Sequence, residues 1–387
     1  MKTIILLGIM GRTPVAGVAW QALHYLKGLS RLGHKVFYIE DTEIWPYNPE
    51  TGADDCAYTV SYIARLMSWC GLRDQWAFCD VSQGGRVHGL SELELSSLFK
   101  EADALINLTG STELREAHFR IPVRIYIETD PGVPQIEIAQ GNRYRIDLLS
   151  AHTHHFTFAE NYGKPGSLLP IGPFHYHATR QPVVLDWWQD GAWNVDAFTN
   201  LSTFTTVATW KQSNDIIWND DTYTWSKDRQ FLQYIDLPAE SKQAFELMLA
   251  CCDPQSTAML QSHNWKVSDA LSLTKDIFPY RSFIIGSRGE FTVAKDQNVR
   301  LHTGWFSDRS ACYLAAGRPV ITQDTGFGRT LPTGLGLFSF NTMDEVLAAV
   351  EAINSDYDTH ARAARAIAEE YFAAEAVIGK LFEAVGL

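Results

Sequence analysis

The chain has 387 residues, 46% of them apolar and 12% aromatic, with a formal net charge of −13. That length exceeds a single compact core, so two domains are expected, and the apolar share excludes a disordered chain. The acidic balance argues against a nucleic-acid backbone or an anionic membrane as partner, and leaves room for a small anion held by a few local cations.

The first half alternates strand and helix. Residues 2–9 form a short apolar run that stops at Gly8 and Gly11, as a buried parallel strand does. Residues 17–32 carry Val18, Leu23, Leu26, Leu29 and Leu32 at helical spacing, and Gly33 ends them. Residues 35–39 are the next strand. Helices are expected over 57–67 and 93–102, and strands over 104–108, 123–127 and 155–158. Strand and helix in alternation predict a parallel sheet with right-handed crossovers. The run from 165 to 200 is rich in Pro, Gly and Trp and reads as the link between domains, with Phe174 to Trp193 as one aromatic wall of a cleft.

A second alternation follows. Strands are expected over 203–208, 229–235, 282–286, 319–322 and 335–340. Helices are expected over 242–252, within 259–278, over 343–353 and through the Ala-rich tail. The expected division is a first domain over 1–172, a linker over 173–200, a second domain over 201–365, and a closing helix over 366–387 that returns to the first domain. The fold class is α/β, two doubly wound domains facing an inter-domain cleft, with ligands at the strand C-termini. The six cysteines, Cys56, Cys70, Cys79, Cys251, Cys252 and Cys312, form no CxxC and no Cys/His set with zinc spacing. No segment approaches the roughly 20 apolar residues of a membrane span. A reduced, cytoplasmic protein without metal is the expectation.

Residues 302–327, HTGWFSDRSACYLAAGRPVITQDTGF, are the most informative stretch. They read as a helix with an open N-terminus, packed on a short strand that ends in polar residues. Unpaired N–H groups and the helix dipole favour an anion there. Ser307 and Ser310 can cap or donate, and Arg309 adds a fixed positive fork.

These residues resemble the donor-binding stretch of glycosyltransferases of the GT-B fold. The run GIMGRTPVAGVAW…YLKGLSRLGHKVFYIED resembles that superfamily's opening, and EEYFAAEAVIGKLFEAVG its closing helices. The resemblance implies a nucleotide-sugar donor, with UDP among the nucleotides and the base left open, a small-molecule or glycan acceptor, no nucleic-acid partner and no cofactor. It implies donor contacts at Lys211, Arg288, Glu290, Lys295, Gly304, Ser307, Arg309, Ser310, Asp324, Thr325 and Gly326. Arg and Lys suit the charge that develops on a diphosphate leaving group. The acceptor side falls to Gly11, Arg12, Thr13 and Gly17 after the first strand, and to Thr109 and Ser111. Neither usual catalytic signature is present. The two positions of the Glu-x7-Glu pattern are Gly304 and Cys312, and the first loop holds no His. Asp130 and Glu128, at the end of the strand over 123–127, are the expected general bases, against an ordinary Asp-Pro-Gly turn. Transfer to a hydroxyl or amine leads. A nucleotide-sugar epimerase and a catalytically silent scaffold of the same fold stay open, as do sugar, acceptor and stereochemistry.

Overall fold

A computed structural model describes residues 1–44, 55–189 and 200–387. Trp193, named above in the aromatic wall, lies outside the described residues.

The first sheet is built from β1 (Thr3–Leu7), β2 (Lys35–Glu40), β3 (Trp76–Asp80), β4 (Arg86–Gly89), β5 (Ala104–Leu108), β6 (Val123–Glu128), β7 (His154–Thr157) and β8 (Tyr176–Ala178). Its order is β4-β3-β2-β1-β5-β6-β7-β8. Every pairing is parallel except β3 with β4. Strands such as β1 and β5 are buried along almost their whole length, because helices cover both faces of a parallel sheet.

The second half begins with β9 (Asn200–Thr209). A small hairpin, β10 (Ile216–Trp218) and β11 (Asp221–Tyr223), follows it. The sheet then adds β12 (Ala244–Ala250), β13 (Lys266–Asp269), β14 (Ser287–Thr292), β15 (Val320–Gln323) and β16 (Leu337–Phe340). The order β13-β12-β9-β14-β15-β16 is parallel throughout. The last helix, Ala374–Ala384, lies on the helix Ala16–Arg31 so closely that a Cβ at Gly28 would stand 2.5 Å from Ile378 Cδ1.

Several expected elements are corrected. Residues 229–235 hold the helix Asp228–Leu232, not a strand. Residues 242–252 hold β12, not a helix. Residues 282–286 end the helix Ile277–Ile285, and the strand begins only at Ser287. An apolar run buried on every side has no periodicity to separate helix from strand, and IFPYRSFII and AFELMLA are both such runs. β8 also lies within the segment read as linker and belongs to the first sheet.

Candidate functional site

Each sheet has a point where the strand order reverses. In the first it lies between β1 and β5, and in the second β9 is flanked by β12 and β14. Loops leave such a point in opposite directions and open a crevice at the strand C-termini. A groove of about 420 Å³ lies where the two crevices meet. Val15, Gly17 and Val18 line it from the loop and helix after β1, and Asp130 from the loop after β6. Val207, Ala208 and Thr209 enter at the end of β9, Lys295 follows β14, and Trp305, Ser307, Asp308 and Arg309 approach and open the helix Asp308–Ala315.

Ser307 is the N-cap of that helix, and its side chain makes no capping hydrogen bond. Ser307 lines the groove. So does Lys227, which the sequence reading missed. Lys227 is 8% exposed, lines the groove, and makes no side-chain hydrogen bond or ion pair among the described residues. Burial, then the nearby charges of Arg309 and Lys295, lower its pKa from 10.5 to about 7. Lys295 is also pulled down by burial, opposed by its ion pair with Asp130. Its ammonium lies 3.4 Å from the Trp225 ring centroid. A buried cation with no hydrogen-bonded partner among the described residues, beside two other cations and a helix N-terminus, can take an anion, next to an Asp308 carboxylate that lines the same groove and accepts from the Arg309 amide at 2.8 Å.

Arg309 lines the groove, but its guanidinium is already engaged. Nε donates to Glu290 Oε1 at 2.5 Å, one terminal nitrogen to the Val207 carbonyl at 2.6 Å, and the other to Thr292 Oγ1 at 2.9 Å. Burial works against its charge, and Glu290 outweighs that and raises its pKa. Arg309 thus contributes field and rigidity rather than a free fork. Glu290 is fully buried under it and does not line the groove, so the expected donor contact there is corrected. Ser310 is likewise fully buried, its hydroxyl without a partner among the described residues and turned from the groove lining.

Other expected donor residues stand elsewhere. Arg288 is at the N-terminal end of β14, the far edge of the sheet. There it bonds Asn354 and covers the Tyr357 ring. The misplaced strand boundary explains that error. Lys211 is exposed and paired to Asp253 at 3.1 Å, on a neighbouring groove that shares only Gln212 with the main one. Gly304, Asp324, Thr325 and Gly326 form a clasp between the halves. Asn161 of the first half donates to the His302 and Gly326 carbonyls at 3.2 and 3.0 Å. A Cβ at Gly304 or Gly326 would stand 2.8 or 2.7 Å from Asn161 atoms. Asp324 Oδ1 accepts from the Gly326 N–H at 2.8 Å, and Thr325 Oγ1 donates to the Trp305 carbonyl at 2.6 Å. None of these four lines the groove.

On the acceptor side, Asp130 reaches the groove. One carboxylate oxygen pairs with Lys295, and the other is buried without a partner among the described residues. Glu128 is 2% exposed, beneath the surface. It accepts from Thr157 Oγ1 at 2.6 Å and from Gln135, and burial raises its pKa to about 7. It supports the loop and does not line the groove, which corrects its expected role as base. The loop after β1 is pinned by Glu40, which accepts from the Gly11 and Arg12 amides at 2.8 and 2.6 Å. Gly17 lines the groove, whereas Gly11, Arg12, Thr13, Thr109 and Ser111 do not.

No family model matches the chain, and no curated protein sequence does. Solved structures do. An alpha-glucosyltransferase in complex with UDP and a 13-mer DNA is similar over 100% of both chains, at 11% identity and a TM-score of 0.62. The Anabaena protein HepE in complex with UDP and glucose also covers 100% of both chains, at 11% identity and a TM-score of 0.56. HepE with UDP-glucose gives 13% and 0.55. The chain has the GT-B fold, two Rossmann-like domains. The expectation that nucleic acid is excluded as a partner is corrected by the first of these complexes: the fold is compatible with bound DNA, and net charge alone does not decide the matter.

Proposed function

We propose that the chain is a glycosyltransferase that takes a sugar from a nucleotide diphosphate, UDP in the first instance, and places it on an acceptor hydroxyl or amine. The observation that carries this is Lys227, buried and unpartnered among the described residues, lining the same groove as the N-terminal residues of the helix Asp308–Ala315. The structural neighbours that hold UDP in the same fold support the choice of nucleotide.

In this reading the acceptor oxygen or nitrogen bonds to the anomeric carbon as the bond from that carbon to the diphosphate oxygen breaks. The electron pair leaves on the diphosphate. Lys227 and the Ser307 hydroxyl receive it, while the Arg309 amide stays on the Asp308 carboxylate at 2.8 Å. Lys295 and Arg309 add positive potential without leaving their partners. Asp130 is the carboxylate placed to take the acceptor's proton. Cationic side chains take the leaving-group role that a divalent metal fills elsewhere, and the setting is cytoplasmic.

The test is release of UDP from UDP-glucose, followed with a panel of acceptors that includes glycans, small alcohols, amines and duplex DNA, and with no acceptor. Acceptor-dependent UDP release is expected. Conversion of the sugar with the nucleotide still attached assigns an epimerase instead. A chain that neither consumes a nucleotide sugar nor gains thermal stability from any nucleoside diphosphate is a scaffold.

A further inference from the structure

Away from the groove, a second set of reactive side chains converges at the edge of the first sheet. The antiparallel register of β3 and β4 sets Phe78 opposite His88 and Asp80 opposite Arg86. Alternation along each strand then puts Asp80 and His88 on one face as diagonal neighbours. The helix Ala57–Cys70 packs on that face. Its N-cap is Cys56, whose side chain makes no capping hydrogen bond. Three residues far apart in sequence thereby meet, and no short motif announces them.

Their geometry is that of ligands around a point. Cys56 Sγ lies 3.5 Å from His88 Nε2, and the same Nε2 lies 4.0 Å from Asp80 Oδ2. All three donor atoms fall within 4.8 Å of one another. In a nucleophile–histidine–carboxylate relay the thiol and the carboxylate take opposite ring nitrogens. Here both face one nitrogen. Asp80 Oδ1 is occupied, accepting from the Ser82 amide and hydroxyl at 2.9 and 2.6 Å. Asp80 Oδ2 is buried beside the Cys56 thiol and the His88 ring, with no amide or hydroxyl partner among the described residues, and Asp80 is fully buried. A tetrahedral zinc ion with ordinary bond lengths holds its sulfur and nitrogen ligands about 3.5 Å apart.

We propose that Cys56, Asp80 and His88 form a site for a zinc-class divalent cation, with a fourth position left for water. A thiolate, an imidazole and a carboxylate together suit zinc and do not suit magnesium or calcium. The His88 side chain is 19% exposed and gives the ion a way in. On binding, the sulfur–metal bond forms as the thiol proton passes to solvent. The ion would tie the start of the helix to the β3–β4 hairpin. None of the three residues lines the nucleotide groove, so the site stands whatever that groove binds.

Cobalt(II) titration of the chelator-treated full-length chain tests this. One cobalt per chain is expected, with a thiolate-to-metal charge-transfer band that zinc bleaches. Cys56→Ser is expected to abolish the band, and His88→Gln to weaken zinc by more than the roughly 10–100-fold that outer-shell changes cost. Circular dichroism checks each fold, and either variant alone decides the matter if the other fails to fold. A parent chain that binds no cobalt, or a band unchanged in either folded variant, overturns the proposal.

Discussion

Lys227 holds its charge against burial and two neighbouring cations, and its pKa near 7 makes that tension measurable. Below pH 7 the folded and unfolded chains both carry the proton, and the folded state bears the full cost of burying it. Between about 7 and 10.5 the unfolded chain keeps the proton and the folded chain releases it, so this residue's contribution to stability improves as pH rises through that window. A bound diphosphate raises the pKa again. Binding must then take up a proton, and affinity should fall as pH climbs above 7, by at most about tenfold per unit. Calorimetric titrations with UDP from pH 6.5 to 9 should show that fall in the parent chain and not in Lys227→Met. At pH 6 the same substitution should raise the melting temperature of the free protein. Equal slopes for parent and variant would remove Lys227 from the site. Asp130→Asn keeps the shape but cannot accept the proton, so turnover should drop by roughly 10²–10⁴-fold with UDP affinity little changed. Near-normal turnover would make Asp130 a partner for Lys295 and nothing more. Arg309→Ala should act on the fold instead. It leaves Glu290 buried and unpaired, a loss of about 3–5 kcal/mol that urea denaturation would read. Wild-type stability in that variant would mean the pair is replaced by water.

At the scale of the element, the segment around the helix Asp308–Ala315 was legible because its signals are local. A serine at the N-cap position, a small-residue helix face and a short apolar strand lie in one unbroken run. What was hidden is which of its polar residues face the groove. Gly304 and Gly326 look like ligand-approach glycines and are packing glycines, since Asn161 arrives from the other half of the chain. Lys227 was hidden because the segment after it was read as a strand, which takes no account of the turn that buries the residue. Arg288 was misassigned by the shift of β14, which turns a strand end into a strand start. The clasp has its own test. Gly304 has a φ of +78°, and an added Cβ would stand 2.8 Å from Asn161 Cγ. Gly304→Ala should cost about 1–3 kcal/mol in thermal or denaturant unfolding. An unchanged midpoint would mean that Asn161 moves away freely.

At the scale of the whole molecule, alternation of strand and helix pointed to two largely parallel sheets, and the antiparallel β3–β4 pairing lay outside that signal. Each sheet's reversal of strand order then places a crevice at its strand ends, facing the other. The cations that occupy this meeting place come from the turn before Asp228–Leu232, the loop after β14 and the first turn of Asp308–Ala315, so no short motif contains them. Overall acidity is a poor guide to such a site, because the groove has its own local set of charges, Lys227, Lys295 and Arg309 beside Asp130 and Asp308. The central claim is that the diphosphate of a nucleotide sits between Lys227 and Ser307. Calorimetric titration of UDP at pH 6.5 into the parent chain, Lys227→Met and Arg288→Ala tests it most directly. The account expects binding by the parent, a loss of tenfold or more on the order of 1–3 kcal/mol in Lys227→Met, and parent-like affinity in Arg288→Ala. Parent-like affinity in Lys227→Met, or a comparable loss in Arg288→Ala, would contradict it.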